Sequence, residues 1–269
     1  MVNTFNTFIY EPFYNGLIFL ATVVPGSDLG IAVILLTLAV KFILLPIAHK
    51  SSTTQVKMKM LEPEIKELKD KHKDNKEEHA KEMMELYRKH NVNPFSSCLT
   101  ILIQLPVILG LYWVFWKGLI IDPDLIDSFK QIPGYINTSL LNQDILYNFI
   151  QMPEFIKSKL FGVVDMLDKS VFFALIAGVS QYYQIKLTMA KDDEKFSLQS
   201  SGSFKDDLAK SMKFQMRYIL PVFVFVFAYS ISAAIALYWA TSNIFTIVHE
   251  LIIRKRIDKN GGMVVEKQA

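Results

Sequence analysis

"LTLAVKFILLPIAHK", Leu36 to Lys50, decides how this chain is read. Extended back to Leu29, it forms an apolar run of about 20 residues, the length a helix needs to cross a bilayer. Lys41 lies well inside that run. A lysine near the centre of a spanning helix costs roughly 2.5–3.5 kcal/mol on insertion scales, so its presence needs a reason. One reason is snorkelling, since Ala48 lies seven residues further on, a helix rise of roughly 10 Å, and a lysine stem can cover part of that distance. The other is a polar bundle interior, and further residues favour it.

The composition is that of a membrane protein. Of 269 residues 51% are hydrophobic, and the mean hydropathy is +0.26, above the usual soluble range. Aromatic residues are abundant, with 20 Phe, 11 Tyr and 3 Trp. A single cysteine, Cys98, excludes an intramolecular disulfide and a cysteine-based metal site. The opening "MVNTFNTFIYEPFYN" has no Lys or Arg and carries Glu11. It reads as neither a secretory signal nor an organelle transit peptide, and no early cysteine offers a lipid anchor, so the mature chain is expected to begin at or near Met1.

Three more apolar stretches follow: Ser96–Trp116, Val171–Leu187 and the long run Tyr218–Ile253. Charge decides how the last is divided. No basic residue precedes Lys41, and Ser51–His90 contains ten. Ile120–Ser170 has four basic against seven acidic residues, while Lys186–Arg217 has seven basic ones and the tail opens with "RKRIDK". Excess Lys and Arg stay cytoplasmic, which places the N-terminus outside and the tail inside. An even number of crossings must then follow Arg217, so the last run is two short helices joined near Tyr229–Ala234. The expected fold is an all-α polytopic membrane protein with a five-helix core.

The expected divisions are an extracytoplasmic interfacial helix over 1–27 and spans over 28–50, 93–119, 170–190, 216–230 and 233–253. Between them lie a cytoplasmic helical hairpin over 51–92, an extracytoplasmic loop over 120–169 and a cytoplasmic loop over 191–215; a basic cytoplasmic tail occupies 254–269. In the first segment Phe5, Phe8, Ile9, Phe13, Leu17 and Leu20 recur at helical spacing among Asn6, Glu11 and Asn15, the pattern of a helix lying in the outer interface. Pro25, Gly26 and Ser27 then break it. In the hairpin, Leu61, Ile65, Leu68 and His72 mark one helical face and Ala80, Met83, Met84 and Tyr87 another, with "KDNKE" as the turn. That hairpin suits either a solvated spacer or a docking element with Met83 and Met84 as adaptable contacts.

Polar residues recur inside the spans. Thr37 precedes Lys41 by one turn, Gln104 lies in the second span, and Ser180, Gln181 and Gln184 lie in the third. Thr241, Ser242 and Asn243 follow Trp239 in the last. Each is penalised against lipid, so each is expected to turn inward. Interhelical hydrogen bonds, worth about 0.6 kcal/mol each on average, account for the neutral groups but not for a cation. No Asp or Glu lies at a depth that would neutralise Lys41. The expectation is a hydrated cavity, open to the cytosol, whose positive field attracts acidic or polar segments.

These residues resemble the YidC-type membrane protein insertases, the bacterial branch of a superfamily that also serves mitochondria and chloroplasts. The likeness runs from "FIYEPFYNGL" to "LIIRKR" and is strongest in "LTLAVKFILLPIAHKSS", "EMMELYRKHNVNPFSSCLTILIQLPVILGLYWVF" and "ALYWATSNIFTIVHELIIRK". It implies a hydrophilic groove open to cytosol and lipid and closed outside, with a positive residue in the first core span. By position that residue is Lys41, where the family usually has Arg. The groove threonine matches Thr37, the groove glutamine of the third span Gln184, and the aromatic of "LYW" Trp239. Gln104 and Asn243 join the set as the inward polar groups of their spans. Thr100, Ser97, and Ser232 with Ala234 depart from the family's usual Pro, Gly, and Pro with Gly.

The function the resemblance implies is insertion and chaperoning of nascent membrane proteins in the bacterial plasma (inner) membrane, by facilitated partitioning without nucleotide hydrolysis. No G-x-x-x-x-G-K-[ST] loop occurs. The expected partners are nascent membrane proteins, the translating ribosome, the general secretion translocon and the lipid bilayer, with no DNA and no cofactor. The tail is short for an extended ribosome-binding arm. Enzymatic activity is not expected, since "HEL" at His249 lacks a second zinc-binding His and no Gly-x-Ser-x-Gly elbow occurs. The alternative is a small-anion transporter or channel with Lys41 as its binding site, which the lack of paired repeats disfavours.

Overall fold

A computed structural model describes residues 2–72, 75–93, 96–119, 134–138, 141–188 and 214–265. Nearly all of the cytoplasmic loop expected over 191–215, and the start of the loop over 120–169, lie outside the described residues. Helices carry most of the described chain. It divides into two compact units, the first Met1–Ile43 with Ile103–Gln181 and Ile219–Phe245, the second Leu44–Leu102 with Tyr182–Tyr218 and Thr246–Ala269.

The first unit begins with α1 (Val2–Phe5), a π-helical turn at Asn6–Tyr10, α2 (Glu11–Val23) and α3 (Leu29–Ile43). The face of α2 that carries Tyr14, Leu17, Ile18 and Ala21 is buried, and α2 packs against α3. Asn15, which in the sequence looks like a polar interruption, is 1% exposed. Its burial is possible because the carboxamide is satisfied three times. Nδ2 donates to the carbonyls of Glu11 and Ile145, each at 2.8 Å, and Oδ1 accepts from the Tyr147 amide at 2.7 Å. Tyr14 Oη donates to the Asn142 carbonyl at 3.0 Å. This helix is thus held by protein on two sides, α3 and the 141–150 segment.

Among the described residues, the segment read as a loop over 120–169 contains four short strands, within a chain that is mostly helical. β1 (Tyr135–Asn137) pairs antiparallel with β2 (Phe155–Lys157), and β3 (Lys159–Leu160) with β4 (Val164–Asp165). Alternation explains the first pair: Ile136 and Ile156, directly opposite, are fully buried while their neighbours are not. These small sheets are tied to helix ends. The Lys157 amide donates to the Ser27 carbonyl at 2.9 Å, and the Ala233 and Ala234 amides to the carbonyls of Asp168 and Met166 at 2.7 and 3.0 Å.

The expected span 28–50 is not one helix. α3 stops at Ile43, and α4 (Leu45–Met60) starts after a single turn residue, Leu44. Pro46 supplies the reason: it has no N–H to donate, and its ring collides with the carbonyl four residues earlier, so it is tolerated in the first turn of a new helix and not within a continuing one. Lys41 therefore sits in the last turn of α3, closer to a helix end than the sequence reading placed it.

α7 (Ser96–Trp113) runs on into a π-helical stretch, Val114–Leu119. α8 (Val171–Thr188), α9 (Leu220–Ile231) and α10 (Ala233–Val265) complete the helices. α9 and α10 are separated by Ser232, which is extended at φ −162° and ψ 160°. Ala174 and Ala177 of α8, Val224 and Ala228 of α9, and Ala236 and Ala240 of α10 form one buried cluster, with Trp239 packed on its margin. Such small residues let helices approach closely, the usual basis of helix association where apolar burial supplies no drive. Gly178 makes the point for α8: a Cβ there would lie 3.1 Å from the Pro221 carbonyl oxygen.

Among the described residues, one helix is by itself long and apolar enough to cross a membrane, through Ala233–Ile257, and α3 with Leu45–Met58 reaches the length only as a broken span. Gln104–Trp116 and Gln215–Ile231 are shorter apolar helices.

In the second unit α5 (Glu62–Lys71) and α6 (Lys76–Lys89) form an antiparallel pair. Asn75 caps α6, accepting from the Glu78 amide while its Nδ2 donates back to Glu78 Oε2 at 2.8 Å. Near the turn Glu82 lies 3.6 Å from Lys71 and 3.0 Å from the His72 ring, and at the open end Glu64 lies 3.5 Å from His90. Met84 is exposed and Met83 half-buried.

Candidate functional site

Three helices of the first unit meet at Gln104. An ammonium can only donate, so the carboxamide presents its oxygen to Lys41, at 3.3 Å from Nζ. Its nitrogen then donates to Tyr238 Oη and, at 3.5 Å, to Ser242 Oγ. One side chain of α7 thereby joins α3 to α10. Lys41 gains a second favourable term from its place in the last turn of α3, because the carbonyls that end a helix carry partial negative charge. Lys41 is half-buried.

Thr37 lies one turn before Lys41 and is 1% exposed. Its hydroxyl donates to the Val33 carbonyl at 2.7 Å, so α3 itself satisfies it.

α10 carries a second polar pair beside the first. Tyr238 and Ser242 are spaced i, i+4, and so are Trp239 and Asn243, which puts each pair on one face. Trp239 Nε1 donates to Gln181 Oε1 at 3.0 Å, and Asn243 Nδ2 donates to Ser180 Oγ at 3.1 Å and to the Ala177 carbonyl at 3.4 Å. The Trp239 ring also meets Phe227 edge-on, with centroids 5.9 Å apart. α10 thus uses one face toward Gln104 and Lys41 and the adjacent face toward α8.

Four of the six residues singled out in the sequence fall in these two clusters: Lys41, Gln104, Trp239 and Asn243. Thr37 shares the face of Lys41 but bonds within its own helix. Gln184 is not part of the first unit. It lies one turn beyond Gln181 on α8, half-buried, in the second compact unit, and among the described residues its side chain makes no hydrogen bond. Gln181, three residues earlier, accepts from Trp239.

Sequence reasoning missed Tyr238, whose phenol is 2% exposed. The available signal was that a tyrosine within a span must find a partner for its hydroxyl, together with the four-residue step to Ser242. It also missed Glu250, 1% exposed on α10 in the second unit. Arg254 lies 2.8 Å away, Thr188 Oγ1 donates to Glu250 Oε2 at 2.8 Å, and Arg254 also donates to the Leu187 carbonyl. A carboxylate within the expected span 233–253 is thus already paired, in the middle of α10. Among the described residues no group of three or more His, Cys, Asp or Glu is placed to hold a metal ion.

Apolar helices that bond their polar residues to one another, one of them long enough to cross a bilayer, are features of an integral membrane protein. Residues 19–260 match the family described as 60Kd inner membrane protein, and the chain belongs to that family. It is 32% identical over 229 residues to the Membrane protein insertase YidC of Francisella philomiragia, a match covering 84% of this chain and 32% of that protein. The Membrane protein insertase YidC of Francisella tularensis subsp. novicida is 33% identical over the same share of each chain, 84% and 32%. The chain spans about a third of the length of the curated relatives it matches.

Proposed function

We propose that this chain is a membrane protein insertase that helps polar segments of nascent membrane proteins cross the inner membrane. The observation that carries the reading is the Lys41–Gln104 contact, extended to Tyr238 and Ser242. The Gln104 carboxamide carries no charge, so this contact leaves the positive field of Lys41 in place. That field, with water admitted from the cytosolic side, lowers the barrier for an acidic or polar segment. The substrate's own apolar helix then partitions into lipid, driven by burial, and no nucleotide enters the process. The names of the Francisella relatives support the activity.

The bundle reading that goes with it has five spans, with the N-terminus outside and the C-terminus in the cytoplasm. α3 with the start of α4, α7, α8, α9 and α10 are the crossings, and the 134–168 segment lies outside. The break at Ser232 supports counting α9 and α10 as separate crossings. The groove is built from Lys41, Thr37, Gln104, Trp239 and Asn243, with Gln181 as the contribution of α8 in preference to Gln184. Nascent chains, the ribosome and the secretion translocon are its partners, and the basic residues of 51–92 suit ribosomal RNA or anionic lipid.

The test is insertion of a substrate with an acidic translocated segment in cells carrying Lys41→Ala or Lys41→Arg. Lys41→Arg should keep the rate and Lys41→Ala should lower it. A normal rate with Lys41→Ala removes the charge from the mechanism.

A further inference from the structure

The turn between β3 and β4 is built against the usual chemistry of hairpins. Leu160 to Val163 close a tight turn, the Val163 amide donating to the Leu160 carbonyl at 3.0 Å. Phe161 has φ 49° and Gly162 φ 76°, the two left-handed residues of a type I′ turn. That turn favours Asn-Gly, Asp-Gly or Gly-Gly, and a bulky side chain at positive φ is a genuine outlier. Here the first position is a phenylalanine, 75% exposed, and the turn ends in Val163, 79% exposed. The phenylalanine therefore gains nothing from packing within the described chain, and the backbone is strained to present it.

The strain is fixed by the start of α3. Asp28 caps that helix, Oδ1 accepting from the Ile31 amide at 3.1 Å, and its other oxygen, Oδ2, accepts from the Phe161 amide at 2.9 Å. Leu160 lies over Gly30 so closely that a Cβ there would stand 2.7 Å from Leu160 Cδ1. The exposed Phe161 and Val163 are thus pinned level with the first turn of α3, where a charged residue, Asp28, gives way to the apolar run beginning at Leu29. Lys157 is exposed two residues before Lys159, and Lys169 follows at the head of α8. Exposed aromatic and aliphatic groups level with the start of a spanning helix, with exposed Lys157 over Gly26 just before that helix and Lys169 over the Tyr229 ring, match a bilayer interface: apolar tips enter the headgroup–acyl boundary and ammonium groups meet lipid phosphates.

We propose that the Leu160–Val163 turn dips Phe161 and Val163 into the outer leaflet, anchoring the extracytoplasmic segment to lipid. This rests on the reading above that places the 134–168 segment outside. It is independent of whether the chain inserts other proteins.

The test uses the full chain with Cys98→Ser, reconstituted in vesicles of phosphatidylcholine and phosphatidylglycerol, and a nitroxide attached at Val163→Cys. Collision with oxygen, which concentrates in lipid, is compared with collision with a water-soluble nickel chelate. Val179→Cys on the exposed apolar face of α8 serves as lipid reference and Gln143→Cys as aqueous reference. The expected result is oxygen access exceeding nickel access at position 163, with the order reversed when Phe161→Asn is added. Phe161→Asn restores the favoured Asn-Gly turn, so the thermal midpoint should hold or rise while the lipid contact is lost. Nickel access at 163 equal to that at 143 overturns the proposal. So does an aqueous signal in lipid vesicles that becomes shielded from both reagents only in native membranes, since a protein partner then covers the turn. If position 179 is aqueous as well, the spanning assignment fails with it; if 179 is lipidic and 163 aqueous, only this inference fails.

Discussion

Lys41 Nζ lies 3.3 Å from Gln104 Oε1, and the same carboxamide donates to Tyr238 and Ser242 on α10. This places a neutral acceptor where the sequence suggested a cation without a counter-ion. A carboxylate in that position would bind the ammonium more strongly and cancel its field. A glutamine contacts the ammonium without adding a negative charge of its own.

Replacing Gln104 by leucine removes the acceptor while keeping side-chain bulk. Leaving a buried polar group without its partner costs about 1–3 kcal/mol, more when the group is charged. Gln104→Leu should therefore lower the unfolding midpoint in detergent and reduce insertion of acidic substrates. Unchanged values for both would show that Lys41 is held by other groups.

Trp239→Phe deletes one neutral hydrogen bond, to Gln181, and keeps a ring against Phe227. Its cost should be near the average of about 0.6 kcal/mol for such bonds in membranes, clearly below that of Gln104→Leu. Comparing the two unfolding curves under one condition checks the ranking.

Gly178→Val should be among the most damaging changes on α8. The new Cβ meets Phe225 Cβ at 3.0 Å and the Pro221 carbonyl oxygen at 3.1 Å, and the backbone of α9 cannot yield as a flexible side chain would. Overpacking of this kind costs about 1–3 kcal/mol. Gly178→Ala also adds a Cβ and should show a smaller drop of the same sign in thermal stability.

Glu250→Ala removes the carboxylate that Arg254 engages through both Nε and Nη2 at 3.3 and 2.8 Å, leaving the guanidinium to the Leu187 carbonyl. Removing one partner of a buried pair costs about 3–5 kcal/mol, whereas replacing both by apolar residues is often near neutral. The double variant Glu250→Leu/Arg254→Leu should thus be more stable than Glu250→Ala alone. A double variant less stable than the single one would rule this out.

Asn15→Leu is isosteric in outline but leaves the Tyr147 amide and the Ile145 carbonyl without their partner. The expected consequence is faster amide hydrogen exchange over 143–150, with α3 unaffected. Protection that survives the substitution would show that Tyr14 alone holds the segment.

Much of the helical content was legible in the sequence because apolar length and helical spacing are properties of consecutive residues. The asymmetry of Lys and Arg between loops predicted that Tyr218–Ile253 would be two helices, and the chain does break there, at Ser232. Thr37, Gln104 and Asn243 were visible because each is expensive in an apolar run, and Trp239 through the resemblance carried by "LYW". The break after Ile43 was also encoded, in Pro46, but was outweighed by the continuous apolarity around it.

The sequence by itself determined that this chain is a helical membrane protein with one cation set among apolar residues, since composition and local spacing carry that information along the chain. Only the tertiary structure decided what the cation meets. Gln104 lies 63 residues from Lys41 and 134 from Tyr238, and such pairings depend on which helix faces pack together. The same reason explains why Gln181 rather than Gln184 receives Trp239, and why Asn15 is buried: a hydrogen bond to a residue about 130 positions away changes whether a polar group can leave water, and no local pattern contains it.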